Sequence, residues 1–198
     1  MPKIVNHEQK RKSIAEAAWN IIKKEGVEKA SIRRVAAEAG MSAGALRHYF
    51  STQDEMLLFI MNYYLEEGKK RTQTKEWSEN PLQAVVEVLL ELVPIDEERK
   101  IETSVWWILA LRSLTSETLK EKTVEMTNGT YELAHSMIQI LAHQGLLLDS
   151  SQVELEESRL SALIEGLSIH ALLRPDEYSP EKVKDIIRYH VESICKEN

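Results

Sequence analysis

Two side chains in the middle of the sequence have the spacing of paired metal ligands. Glu132 and His135 lie three residues apart, so on a helix they share one face, where a carboxylate and an imidazole can bind the same metal ion. A carboxylate-bridged di-iron bundle needs a second such pair and two further glutamates, yet no other histidine has a glutamate three residues before it. An ordinary surface pair is therefore favoured, with a helical metal-binding oxidase as the alternative, and we predict no catalytic residue, metal or cofactor.

The side chains suited to binding a polyanion are concentrated near the N-terminus. Residues 1–50 contain ten Lys and Arg against five Glu, whereas the remaining 148 residues contain 15 basic and 27 acidic side chains. The net charge of −7 therefore averages a basic head and an acidic body, the distribution expected of a phosphate-binding module fused to a body that does not bind phosphate. Charge alone leaves open the alternative of chance clustering on a solvated face.

Hydrogen-bond donors and small residues lie close together in this basic head. Arg47 can bind guanine or phosphate with its forked guanidinium, and Tyr49 can donate its hydroxyl to a phosphate. Small residues at 43–45 let a helix N-terminus approach base edges closely. The predicted DNA-binding residues are Ser31, Arg33, Arg34, Ser42, Ala43, Gly44, Ala45, Arg47, His48, Tyr49 and Thr52. As alternatives, the two arginines at 33 and 34 are ordinary solvated charges and the histidine at 48 packs against a neighbouring helix.

Short helices must position these side chains, and apolar residues recur at helical spacing nearly throughout the chain. The spacing predicts helices from near His7 to Gly26, over 32–39 and over 43–49, with Gly40 making the turn between the last two. Ser31, Ser42 and Thr52 are predicted N-caps, at helix ends whose free N–H groups can hold phosphate oxygens. Further helices are predicted over 53–74, from Asn80-Pro81 onward, and over 97–113, 116–144, 152–173 and 180–195.

The fold class predicted from these elements is all-α, with about nine helices. A three-helix helix-turn-helix domain is expected over 1–52, followed by a helical ligand-binding and dimerisation domain over 53–198. The chain has one cysteine, Cys195, no apolar run of the roughly 20 residues that a membrane span needs, and no secretory signal at its start. We therefore expect a cytoplasmic protein without disulfides.

The head resembles the signature of TetR-type repressors in the segment SIRRVAAEAGMSAGALRHYF over 31–50 and in STQDEML over 51–57. This resemblance implies a transcriptional regulator, most simply a repressor, whose two-fold dimer binds a palindromic operator and is released by a small-molecule effector. It also implies DNA contacts at Ser31, Ser42, Arg47, His48 and Tyr49. The sequence departs from the pattern at Gln53, where the family usually has Lys, so a phosphate contact there would be neutral and weaker.

The last two helices are similar to the choline-sensing branch of that family in the segment IEGLSIHALLRPDEYSPE over 164–181. Both helices carry an apolar stripe, and two such helices can pair with their symmetry mates into a four-helix interface. The predicted dimer interface consists of Leu160, Leu163, Ile164, Leu167, Ile187, His190, Val191 and Ile194. In one alternative the stripes close the chain's own core, and in another the helical dimer binds a protein partner through the exposed head.

An effector pocket is expected among the fourth to seventh predicted helices. Trp106 and Trp107 are adjacent, so they face different directions from one helix, and only one is expected to line a cavity. The candidate effector-binding residues are Met61, Trp106, Trp107, Arg112, Met126, Tyr131 and His135, and a plain core role is the alternative for most of them. A cationic effector held by cation–π contacts and a neutral lipophilic effector both fit this composition.

Overall fold

The computed structural model describes residues 7–196, apart from the side chains of residues 7, 8, 71, 117, 118, 122, 125–127 and 150. Nine α-helices form this part of the chain: α1 (His7–Glu25), α2 (Ile32–Glu38), α3 (Ala43–Arg47), α4 (Gln53–Gln73), α5 (Pro81–Leu89), α6 (Glu97–Ser113), α7 (Glu117–His143), α8 (Val153–Leu173) and α9 (Pro180–Ile194). Within the same residues, no helix is both long and apolar enough to cross a bilayer. The prediction of an all-α fold is confirmed.

Most helices begin where a polar side chain caps the first turn. Ser42 Oγ accepts a hydrogen bond from the Ala45 N–H at 3.1 Å, and Thr52 Oγ1 accepts one from the Glu55 N–H at 3.1 Å. Equivalent side-chain caps begin α2, α5, α6 and α9 at Ser31, Asn80, Asp96 and Ser179. Such caps satisfy N–H groups that have no partner within the helix, which explains why the helix starts could be predicted from local sequence.

The chain divides into two compact units, one through Thr74 and one from Lys75 onward. The first unit contains α1–α4, whereas the boundary predicted from the sequence lies before α4, at 52/53. The Trp19 ring on α1 stacks on the Tyr64 ring on α4 with their centroids 3.8 Å apart. This stacking and the shared core explain why α4 belongs to the unit that it follows in sequence.

The core of the first unit is formed by one face of each of its helices. Ile14 from α1, Val35 from α2, Leu46 from α3 and Ile60 from α4 are each 0% exposed. Met61, a predicted effector contact, is 2% exposed and lies in the same helix as Ile60. Its burial corresponds to the core role that was the alternative for this residue.

The core of the second unit is built from α5, α7, α8 and α9, and it corrects the predicted dimer interface. Seven of the eight predicted interface residues are buried within the single chain: Leu160, Ile164, Leu167, Ile187, His190, Val191 and Ile194. Leu163 is half-buried and packs against the same cluster. A side chain that is already enclosed by its own chain has no surface left for a symmetry mate, so these residues close the core of the unit, as the alternative held.

Candidate nucleic-acid interface

The turn between α2 and α3 sets the direction of α3 relative to α2. Gly40 has a φ of +65°, a left-handed conformation that residues with a Cβ adopt at a cost. The N–H of Met41 then donates to the Ala36 carbonyl at 2.9 Å, which closes the turn onto the end of α2. The short α3 is anchored through Leu46, which is 0% exposed, and its opposite face is left at the surface.

The eleven predicted DNA-binding residues all lie outside the core of the first unit. Seven are exposed, namely Arg33, Arg34, Ser42, Gly44, Arg47, His48 and Thr52, and four are half-buried, namely Ser31, Ala43, Ala45 and Tyr49. The exposure of His48 departs from the alternative in which this ring packs against a neighbouring helix. We refer below to these eleven residues as the reading surface.

The capping hydroxyls of the reading surface retain a free donor. In Ser31, Ser42 and Thr52 the hydroxyl oxygen accepts a backbone N–H of the first helical turn, and the hydroxyl hydrogen can still be donated. Each hydroxyl can therefore hold its helix start and donate to a phosphate oxygen at the same time. The sequence predicts phosphate contacts through free N–H groups at these helix starts, and the cap occupies one such N–H group in each turn.

The two adjacent arginines of α2 differ in their surroundings. The Arg34 guanidinium donates to the Glu25 carboxylate at the end of α1, and this hydrogen bond holds the pKa of Glu25 below its usual value. Arg33 is exposed and forms no ion pair with the residues that the structure describes. Glu25 could not be predicted as the partner of Arg34, because the pair joins two helices and no helical periodicity relates residues nine positions apart.

A series of aromatic rings connects the end of α3 to α4. The centroids of Tyr49 and Phe50 are 6.4 Å apart, and those of Phe50 and Phe59 are 5.1 Å apart. Phe50 is buried, so Tyr49 follows a rigid anchor. At the start of α4, the Nε2 atom of Gln53 is enclosed and has no hydrogen-bond partner among the described residues, so this amide nitrogen is not displayed beside the reading surface.

The candidate effector residues of the second unit lie on α6 and α7. The Trp106 and Trp107 rings are half-buried and meet edge to face, with centroids 4.6 Å apart and planes at 89°. The indole N–H of Trp107 donates to Ser168 Oγ on α8 at 3.0 Å. Arg112 is half-buried and Tyr131 is exposed, whereas the side chain of Met126 lies outside the described part of the chain.

Of the two possible metal ligands on α7, the histidine has a carboxylate partner on the neighbouring helix. His135 Nδ1 lies 2.9 Å from Glu157 Oε2 on α8, and Gln139 Nε2 donates to Glu157 Oε1 at 2.7 Å. Glu132 is exposed. Among the described residues, no group of three or more His, Cys, Asp or Glu side chains is arranged to hold a metal ion. The structure thus brings His135 to a buried carboxylate of the neighbouring helix, which a helical spacing of three cannot reveal.

Comparison with known proteins covers both units. Residues 14–60 match the family model described as bacterial regulatory proteins, tetR family, and residues 81–196 match the model described as BetI-type transcriptional repressor, C-terminal. The HTH-type transcriptional regulator PksA of Bacillus subtilis is 39% identical over all of this chain and 96% of its own length. BetI of Vibrio parahaemolyticus is 25% identical over 97% of this chain and 95% of its own length.

A solved structure has the same fold over nearly the whole chain. It is the structure of a putative transcriptional regulator from Saccharomonospora viridis in complex with choline. The two chains are 22% identical and superpose with a TM-score of 0.81, and the match covers 96% of this chain and 100% of the other. At this identity the likeness shows the fold alone.

Proposed function

The chain belongs to the TetR family of bacterial transcriptional regulators, with a C-terminal part of the BetI type, and on this premise we propose how it acts. Two copies bind a palindromic operator through their reading surfaces, and a small molecule bound in the second unit releases the DNA. The observation that carries the proposal is the exposed face of α3, anchored by Leu46 and flanked by capped helix starts.

The reading surface is suited to a major groove. The groove is about 12 Å wide and admits a helix, and the small residues at 43–45 keep the first turn of α3 narrow. Arg47, exposed in the last turn of α3, can place two N–H groups on one guanine. The hydroxyls of Ser42 and Thr52 then donate to phosphates on either side of the groove.

A dimer supplies the specificity that one head lacks. A single head of this size buries too little surface for tight and specific binding, whereas two heads related by a two-fold axis read half-sites about 34 Å apart, one turn of DNA. A palindromic operator follows from this symmetry.

We propose that the outer faces of α8 and α9 form the dimer interface, in place of the buried stripe. The outer face of α8 carries Leu155 and, seven residues further on, a stripe of apolar or small residues at spacings of four, three and four, namely Ala162, Gly166, Ile169 and Leu173. On α9, Tyr189 is 75% exposed, as Leu173 is 71% exposed on α8. The stripe makes a seam for a second pair of helices, and a Cβ added at Gly166 would meet nothing within 4 Å, so this position has room for a close neighbour.

We further propose a small organic cation as the effector, bound beside Trp106 and Trp107. Two indole rings at right angles offer two walls of an aromatic cage, and a cation over an indole face is attracted by its electron density. The hydrogen bond from Trp107 to Ser168 holds one of these walls in place. Support comes also from the acidic excess after residue 50 and from the choline held by the structural relative of S. viridis.

The proposal is tested by electrophoretic mobility shift with DNA from upstream of the protein's own gene. We expect binding that weakens steeply with salt, because several phosphates are neutralised and their counterions released. Arg47→Ala should reduce the discrimination between operator variants by about 1–3 kcal/mol at the contacted base pair, whereas Ser31→Ala should weaken all sequences alike. Absence of binding even at low salt would show that the proposed function is wrong.

The effector proposal is tested separately by adding choline to the bound complex and by titrating tryptophan fluorescence. Release of the DNA and a fluorescence change that Trp106→Ala removes are expected. Operator binding that choline leaves unchanged would contradict the effector class and leave the regulator role in place.

A further inference from the structure

A run of three cations at the start of α1 lies outside the reading surface. Lys10, Arg11 and Lys12 are all exposed. Lys12 lies 3.8 Å from Glu16, a loose pair between side chains that are more than half exposed. No acidic side chain of the described residues lies within ion-pair distance of Arg11. This run was not used by the proposed function.

The Arg11 guanidinium is held over an aromatic ring, 5.8 Å from the centroid of Phe59 on α4. This contact is of the cation–π type and restricts a side chain that otherwise samples many conformations. It leaves the N–H donors of the guanidinium available, because the attraction is to the ring face and uses none of them in a hydrogen bond. Arg11 is thus an oriented cation with free donors.

The same ring places Arg11 near the reading surface. Phe59 contacts Phe50, and Phe50 contacts Tyr49, with centroid distances of 5.1 Å and 6.4 Å. Phe59 is the seventh residue of α4, so it lies about 9 Å along the helix axis from the helix start. Thr52, whose hydroxyl is proposed to face a phosphate, caps that start.

The acidic residues that share this groove are already paired. Glu66 and Glu67 of α4 line it together with Arg11 and Phe59, and each binds a lysine of its own helix, Lys69 and Lys70, at 2.8 Å. The carboxylates therefore do little to repel a phosphate at the Arg11 end. Of the cations that line this groove, Arg11 is the one without an ion pair among the described residues.

We propose that Arg11 binds a DNA phosphate outside the base pairs read by α3, with Phe59 as its positioning residue. This inference rests on the proposed function, because it requires the reading surface to be seated on an operator. It extends the contact of each head from α2–α3 to the start of α1 and adds a sequence-independent anchor beside the half-site.

The salt dependence of binding tests this inference. Each neutralised phosphate contributes about −0.9 to the slope of log K against log salt concentration, so Arg11→Gln in a dimer should make the slope shallower by about 1.8 on a long duplex. Arg11→Lys should retain the slope, since a phosphate contact needs the charge. Lys100→Gln on α6, where Lys100 is paired with Glu97, removes the same charge from the second unit and should leave the slope unchanged.

A comparison of two duplex lengths distinguishes this phosphate contact from a general effect of the lost charge. On a duplex trimmed to the base pairs protected by α3, wild type and Arg11→Gln should have the same slope, because the outer phosphates are absent. Equal slopes on the long duplex, or an equal effect of Lys100→Gln, would overturn the inference while operator binding stands. If wild type binds no upstream DNA, the proposed function itself fails, and this inference fails with it.

Discussion

At the scale of single residues, two adjacent arginines differ in their availability to bind DNA phosphate. Arg33 and Arg34 share a charge and a helix, but the guanidinium of Arg34 is already bound to Glu25. Both partners of that pair are partly exposed, so it contributes little to stability. The pair affects DNA binding instead, because a guanidinium that must first leave a carboxylate binds a phosphate less well than one that has no ion pair.

We therefore predict different effects for the two arginines. Arg33→Ala should make the salt slope of operator binding shallower by about 0.9 for each head, whereas Arg34→Ala should change it little. Glu25→Gln should tighten binding, because it frees the Arg34 side chain for phosphate. Fluorescence anisotropy over a series of salt concentrations measures all three. Equal effects of the two arginine substitutions would contradict the prediction.

A substitution at Gly44 should affect stability and DNA binding in opposite directions. A Cβ added there would meet only Ser42 Oγ, at 3.9 Å, an ordinary contact, and Ala has the higher helix propensity by about 1 kcal/mol. Gly44→Ala should therefore unfold at a temperature equal to or above that of wild type. Its operator affinity should fall at least tenfold, because the methyl group stands between α3 and the base edges.

The matched variant for Gly44 is Gly40→Ala in the turn. Its positive φ makes that substitution destabilising by about 1 kcal/mol, so the thermal unfolding temperature should fall. A Gly44→Ala protein that retains full operator affinity would show that α3 does not approach the bases at this residue.

At the scale of elements, α9 is held to its unit by a stripe that contains one polar side chain. His190 is 8% exposed and its Nε2 has no hydrogen-bond partner in the described part of the chain. Burial, with a smaller contribution from the positive charge of Arg159, lowers the pKa of His190 from 6.5 to about 4. The imidazole is therefore neutral in the folded unit at neutral pH.

This lowered pKa predicts a stability that depends on pH. Between pH 6.5 and about 4 the unfolded chain binds a proton at His190 that the folded chain does not, so the free energy of unfolding falls as the pH is lowered through this window. At about 1.4 kcal/mol per pKa unit, the loss should reach about 3 kcal/mol. Urea unfolding at pH 7 and pH 4.5 measures it.

The control for His190 is a histidine at the surface. His190→Gln should remove this part of the pH dependence, whereas His143→Gln, at an exposed position of α7, should retain it. If His190→Gln unfolds with the pH dependence of wild type, the histidine is not kept neutral by its packing.

At the scale of the whole molecule, the buried stripe and the outer seam of α8 have different roles. The stripe that includes Leu160, Ile164 and Leu167 closes the core of the second unit. The outer seam, with Gly166 and Leu173, is the surface that we propose for contact with a second copy. In this proposal, two copies supply the two reading surfaces that an operator of two half-sites requires.

We predict that Tyr189→Glu converts the dimer to a monomer, because a charge buried in the proposed interface is desolvated without a partner. Gly166→Leu should do the same by steric exclusion, since its surroundings within the chain are open. Leu114→Glu is the control, as Leu114 is 79% exposed at the end of α6. Sedimentation equilibrium gives the mass of each variant. A Tyr189→Glu protein with the dimer mass and wild-type operator affinity would place the interface elsewhere.

The helices could be predicted from the sequence, because their starts, turns and apolar faces depend on local interactions. Caps such as Ser42 and Thr52, the turn at Gly40 and the helical spacing of apolar residues act within a few positions of the chain. The signature over 31–57 also carried the family, which the matches over 14–60 and 81–196 show.

Which of the two apolar faces of α8 is buried depends on the tertiary structure. In α8, Leu160 and Ile164 lie on one face and Leu155 and Leu173 on another, and periodicity gives both faces the spacing of a stripe. The choice depends on contacts with α7 and α9, whose residues are distant in the chain. For the same reason the pairs of Arg34 with Glu25 and of His135 with Glu157 could not be predicted, since long-range contacts set the partner of a side chain.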